Sequence, residues 1–473
     1  MIQFDNTYID LPDSFYERVK PAKFSNPKLI QFNESLAVEL GLDFQGVSDK
    51  DLALIFSGQK LIPGSEPVAL AYAGFQFGHP VPQLGDGRAH LLGETRGHDI
   101  QLKGSGPTRF SRGGDGKSAL GPVLREYIVS EAMHHLGVPT SRALCAVTTG
   151  EMVRRQAGLE PGGVFTRVAK SHIRVGTFQY FAFKNDVDAI KKLIDYTIRR
   201  HYPSLLALTT YREKAIELVK QVIELQSTLV AQWSGLGFIH GVMNTDNCSI
   251  AGITIDYGPC AFLDEFEFQK VFSSIDRGGR YSYFNQVPIA KWNILRLVDC
   301  LLPLIDEDLE KASQVVENEI FEHFGRFDYK RMQMYAQKLG IKDYVDADDE
   351  LIMTFLQYLE DEKLDFTLAF RNLKELFKGV QEFYPSTPDL QKFLVAWRAR
   401  VKNVDLLDQI NPVYIPRNHH IQQAIESAYA GEMNPFYTLL KVYADPFNSK
   451  SEYLAFQSPP SVSEKVHETF CGT

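Results

Sequence analysis

Four positions in the sequence carry side chains suited to holding a polyphosphate and a hard cation. Lys103 ends the run Asp99-Ile100-Gln101-Leu102-Lys103, whose period-two pattern reads as a strand. Ile100 and Leu102 share one face, and the Lys103 ammonium projects from the other, where it can neutralise phosphate oxygens. The next helix carries Glu126 and Glu131. Either could clamp that ammonium, and Glu126 is favoured. Asn247 and Asp256 offer two oxygen ligands, a donor set that suits magnesium because the ion completes its shell with phosphates and water. A short strand over 249–255 would set their separation. Singly these signals are weak: an Asp-Tyr-Gly is usually a turn and a lone lysine usually solvated.

Four stretches of chain have to position them. Residues 1–67 read as an extended lead-in arm with one short helix at about 35–42. Residues 68–155 mix strands with one helix. They hold a Gly-rich hairpin at Gly85-Asp86-Gly87-Arg88 and a helix over 123–136, with Pro122 in its first turn and Gly137 as its stop. Strands follow at about 142–149 and 163–169. Residues 156–330 hold the second of these strands and from about 186 are helical, with Ile216, Val219, Val222, Ile223, Leu229 and Val230 at helical spacing; a loop-strand-loop over 240–264 interrupts the helices. Residues 331–473 form a helical extension and an irregular tail. The acidic run Asp346-Ala347-Asp348-Asp349-Glu350 reads as solvated caps or loops. The class is α+β.

Taken together, the order is Gly-rich loop, strand lysine, helix glutamate, long helix, Asp-Asn loop, Asp-x-Gly. This is the order of parts in a protein kinase, and it implies a two-lobed fold of that kind with an added helical C-terminal region. One departure matters. A kinase catalytic loop reads His-Arg-Asp with asparagine five places after the aspartate, whereas here it reads His240-Gly241-Val242-Met243-Asn244-Thr245-Asp246-Asn247. Val242 stands where the phosphotransfer base belongs and cannot accept a proton, so Asp246 is the replacement candidate. A surplus of cations, Arg88, Lys117, Arg167 and Arg174, suits a buried triphosphate. The loop Gly113-Gly114-Asp115-Gly116-Lys117-Ser118 imitates the end of a Walker A sequence, but Ser111 replaces its first glycine.

Composition narrows the field. The chain has 473 residues, is 44% hydrophobic and carries a net charge of −9, which argues against a nucleic-acid partner. No 18-residue apolar run and no signal or transit pattern occurs, so a cytoplasmic protein without a membrane partner, acting as a monomer, is expected. The five cysteines lie apart with no CxxC pair.

The quoted motifs, with Leu102-Lys103-Gly104-Ser105-Gly106, Asp256-Tyr257-Gly258-Pro259, Asn411-Pro412 and Arg417-Asn418, resemble the selenoprotein O family, also called the YdiU family, over nearly the whole chain. The resemblance implies a kinase-like fold that binds ATP in a flipped orientation and transfers AMP to Ser, Thr or Tyr hydroxyls of proteins. UMP transfer from UTP is ascribed to relatives. By the same resemblance Gly85, Gly87, Arg88, Lys103, Asp115, Gly116, Arg167, Arg174 and Asp256 contact ATP. Asp246 is the proton acceptor, and Asn247 and Asp256 hold Mg2+ or Mn2+. Cys471 matches a position occupied by selenocysteine or cysteine in relatives, but the cysteine that some of them place after the Asp-Tyr-Gly motif is absent from 268–274. The rival expectation is a catalytically silent, nucleotide-binding pseudokinase scaffold.

Overall fold

The strand expected at Lys103 is realised as His98–Lys103, paired antiparallel with Ala89–Thr95 on one side and Gly158–Ala169 on the other. The computed structural model describes residues 2–156 and 158–470. The hairpin turn lies at Arg96-Gly97, both with positive φ (49° and 75°), the backbone that suits a two-residue turn between twisted strands. The segment Gly85 to Arg88 is therefore not a hairpin, as the sequence suggested, but a loop leading into the first of these strands. The Asp86 carboxylate pulls it across the sheet by accepting from the Leu70 amide at 3.1 Å and from Gln101 Nε2 at 2.8 Å.

The sheet has eight strands, ordered Tyr16–Arg18, Val68–Leu70, Ala89–Thr95, His98–Lys103, Gly158–Ala169, Arg142–Arg155, Lys28–Phe32, with Ser118–Ala119 joined to Gly158–Ala169. Its two edges come from the lead-in arm, and strands from before and after residue 156 pair as neighbours, so pairing crosses the divisions drawn at 67/68 and 155/156. On one face Leu36 and Phe56, from helices Glu34–Glu39 and Asp49–Phe56, pack with Ile100, Leu102, Val147 and Val168. The second of these helices was not foreseen, although Ser48 and Asp51 signal it: the Ser48 hydroxyl accepts from the Asp51 amide at 3.2 Å. The helix Leu120–His135 covers the other face with Val123, Leu124, Tyr127 and Ile128.

Below the sheet the 26-residue helix Tyr211–Leu236, capped by Thr210 and Glu213, packs against Gln286–Ile305 and Gly325–Lys338. The expected strand at 249–255 is absent. Its ends make single bridges to different partners, Ser249 to Arg174 and Thr254 to Thr140, because a turn from Ser249 to Gly252 interrupts it. The pairing falls instead between Phe238–Ile239 and Ala261–Phe262. The C-terminal helices form a core around Trp397, whose indole donates to the Leu339 carbonyl at 2.7 Å. Arg417 ties this region to the lobe above through Asp264 and Asp365, both at 2.8 Å. Within the acidic run Asp346 and Glu350 are exposed as expected, but Asp348 is buried and takes Arg400 Nε at 2.6 Å. No helix among the described residues is long and apolar enough to cross a membrane.

Candidate active site

A cavity of about 760 Å³ lies between the sheet and the 240–256 loop. Every site residue expected from the sequence lines it except Glu126, which stands behind Lys103. The Lys103 ammonium donates to Glu126 Oε2 and Asp256 Oδ1, each at 2.6 Å. This settles the choice between the helix glutamates, because Glu131 is engaged by Arg142 Nε at 2.9 Å and by the Ala143 amide at 2.8 Å. Arg167 also reaches Glu126, at 3.4 Å, and is aimed by Gln101 Oε1 at 2.8 Å. Burial alone would raise the Asp256 carboxyl, but Lys103, Arg167 and Arg88 outweigh it and hold the group well below the ordinary carboxylate range. Its backbone is left-handed, φ 67°, a conformation uncommon outside glycine that Asp tolerates better than most and that concentrates at functional sites.

Asp246 contrasts with it. Burial pushes its carboxyl up to about 6, against the pull of Arg174. Arg174 spends its closest contact on the Asp246 main-chain carbonyl, at 2.8 Å, with its guanidinium 4.2 Å from the centre of the Tyr72 ring. Asp246 Oδ2 receives only a long contact from Gln76 Nε2, at 3.4 Å, and Oδ1 is buried without a partner. Asp246 lines the cavity, and a carboxylate there with a raised pKa and no ion pair among the described residues is suited to accepting a proton. The hairpin Gly74–Gln76 and His79–Val81 closes over this carboxylate; a side chain at Gly74 would place its Cβ 2.5 Å from Oδ1. Backbone donors pin the hairpin to the loop, Phe75 to Thr245 Oγ1 at 2.7 Å and Phe77 to Asn244 Oδ1 at 3.1 Å. His240 is a strut: its Nε2 meets the Ile255 carbonyl at 3.0 Å, so that nitrogen carries the hydrogen.

The donor set fits a magnesium-like ion. Asn247 spends its amide nitrogen on the Val242 carbonyl at 3.0 Å, leaving its oxygen for a ligand. Lys103 occupies one Asp256 oxygen and leaves the other. Among the described residues no group of three His, Cys, Asp or Glu side chains forms a cage, so this pair would rely on phosphate and water for the remaining positions.

The sequence reading missed Arg112, Arg154 and Arg155, which also line the cavity. Arg155 holds Asp115 at 3.0 Å, and Lys117 is taken up by Glu151 at 2.7 Å. The strand carrying Arg154 and Arg155 runs six residues past its expected end at 149, to Arg155, and this extension is what brings them to the cavity. Cys260 is buried. Cys471 lies outside the described residues.

A strand lysine clamped by a helix glutamate, set over a helical lobe with a cavity between them, is the arrangement of the protein-kinase-like class. Comparison with known proteins narrows this further. A family model described as "Protein adenylyltransferase SelO" matches residues 1–444, and the chain belongs to that family. Relatives named "Protein nucleotidyltransferase YdiU" include those of Agrobacterium fabrum, 49% identical over 100% of both chains, and Rhizobium rhizogenes, 48% identical over 100% of this chain and 97% of the relative. That of Rhodopseudomonas palustris is 47% identical over 99% of each.

Proposed function

We propose that the protein transfers the AMP part of ATP, and in a variant of the same reaction UMP from UTP, to Ser, Thr or Tyr hydroxyls of other proteins. The nucleotide enters triphosphate first. Lys103, Arg167 and Arg174, all buried along the cavity wall, receive the inner phosphates, while the loop around Gly85, Gly87 and Arg88 and the rim at Asp115 and Gly116 hold the rest. Asn247 and the free oxygen of Asp256 would hold Mg2+ or Mn2+, which as a Lewis acid would offset phosphate charge.

The observation that carries the reading is the Asp246 carboxylate, which lines the cavity with a raised pKa and no ion pair among the described residues, in a chain whose kinase base position is Val242. Asp246 takes the proton from the incoming hydroxyl, the hydroxyl oxygen bonds to the α-phosphorus, and the bond to pyrophosphate breaks. Arg167, Arg174 and Lys103 meet the charge that develops on the leaving group. The test is to incubate the protein with a mixed protein substrate, magnesium and ATP labelled at either the α or the γ position. Label from the α position alone is expected. Label from the γ position alone would refute AMP transfer, and none from either would favour the scaffold reading.

A further inference from the structure

The hairpin over Asp246 has an outer side, and it is cationic. Arg280 and Arg296 both approach the Trp292 ring, at 4.8 and 5.1 Å from its centre, and Trp292 packs edge-on against Phe75 at 5.4 Å. Phe75 precedes Gln76, the residue that contacts the Asp246 carboxylate. The Arg280 main chain is fixed, its amide donating to Asp276 Oδ1 at 2.9 Å and its carbonyl accepting from Asn285. Its guanidinium has no carboxylate within 4.0 Å among the described residues, and its Nε is buried without a partner. Arg277, exposed on the same loop, also pairs with no carboxylate among the described residues. Arg296 shares Asp299 at 3.1 Å. Arg296 is neutralised by its own carboxylate, so the charge left uncompensated beside the indole is that of Arg280, and an anion placed there would be attracted to it. The patch meets the cavity through Gln76, Phe77 and Ile275, which line its mouth, and Ile275 is 56% exposed.

We infer that this patch docks the protein substrate, by taking an acidic segment next to the hydroxyl that is modified. The inference rests on the transfer reading above. The triphosphate does not compete for it, because that charge is met by Lys103, Arg167 and Arg174 inside the cavity. The ring of Trp292 gives the segment an apolar floor, and Arg280 and Arg277 supply the charge that orients it.

Two fluorescent serine peptides, one flanked by glutamates and one by lysines, are titrated into the full-length protein with a non-hydrolysable ATP analogue and magnesium. The glutamate peptide should bind more tightly by about tenfold, and Arg280→Gln should remove about that factor, with Arg277→Glu acting in the same direction. In transfer assays the same change should appear in KM for the glutamate peptide and not in kcat. Equal binding of the two peptides, or a preference that survives Arg280→Gln in folded protein, overturns the docking site. Arg280-dependent binding with no label passing from α-labelled ATP would support docking and overturn the transfer reading instead.

Discussion

Arg174 donates to the main-chain carbonyl of Asp246 and leaves the carboxylate of the same residue unpaired. The arginine therefore fixes where the loop lies without quenching the basicity of its side chain. An ion pair to the carboxylate would have held that group low and made it a poor proton acceptor.

Asp246→Asn should remove the proton acceptor while keeping shape. Transfer from α-labelled ATP is expected to fall about 100-fold or more, with nucleotide affinity retained. Because burial raises this carboxyl in the folded protein, the ionised group opposes folding above its titration range. The amide should then stabilise the nucleotide-free, chelator-treated protein at pH 7.5 by on the order of 2 kcal/mol, read by urea unfolding.

Lys103→Met leaves Glu126 and Asp256 facing one another without their shared cation. Breaking a buried pair from one side costs about 3 kcal/mol, and nucleotide binding should weaken in parallel. Glu126→Gln should cost less, and the double variant should fall short of the sum, since the two residues share one contact. Additive losses in a double-mutant cycle would contradict the coupling.

Asp256→Asn retains an oxygen but loses the charge that Lys103 and a divalent ion share. The magnesium concentration for half-maximal nucleotide binding should rise about tenfold or more. An unchanged magnesium titration would remove Asp256 from the ligand set.

The buried His90 ring supplies a pH dependence. Burial lowers its pKa from the ordinary 6.5 to about 4. The unfolded chain then binds the proton more readily than the folded one, so the contribution is full above pH 6.5 and is lost as pH falls from 6.5 to about 4. His90→Asn should flatten the stability curve across that window, measured by urea midpoints at half-unit steps of pH, with little change in slope above it.

Much of the reacting constellation was legible because it is local. The spacing from His240 to Asn247, the alternation that aims Lys103 away from Ile100 and Leu102, and the Pro122 and Gly137 that bound the helix of Glu126 depend on neighbours in sequence. What escaped depended on distant partners. Arg154 and Arg155 reach the cavity only because their strand outruns its apolar pattern, and the Gly74–Gln76 hairpin is recognisable only beside Asn244 and Thr245. The stretch at 249–255 has strand-like residues, but its two ends pair with different segments, a conflict that periodicity does not register.

The two edges of the sheet are closed by strands that precede their partners in the chain. Tyr16 pairs opposite Leu70, but Lys28 pairs opposite Thr148, so the second edge strand must wait unpartnered while more than a hundred residues are synthesised. Shortening that segment would bare the flank of Arg142–Arg155, a long unprotected template for another chain. A bulky fusion at the amino end therefore carries a greater risk of clumping during production than one at the carboxyl end.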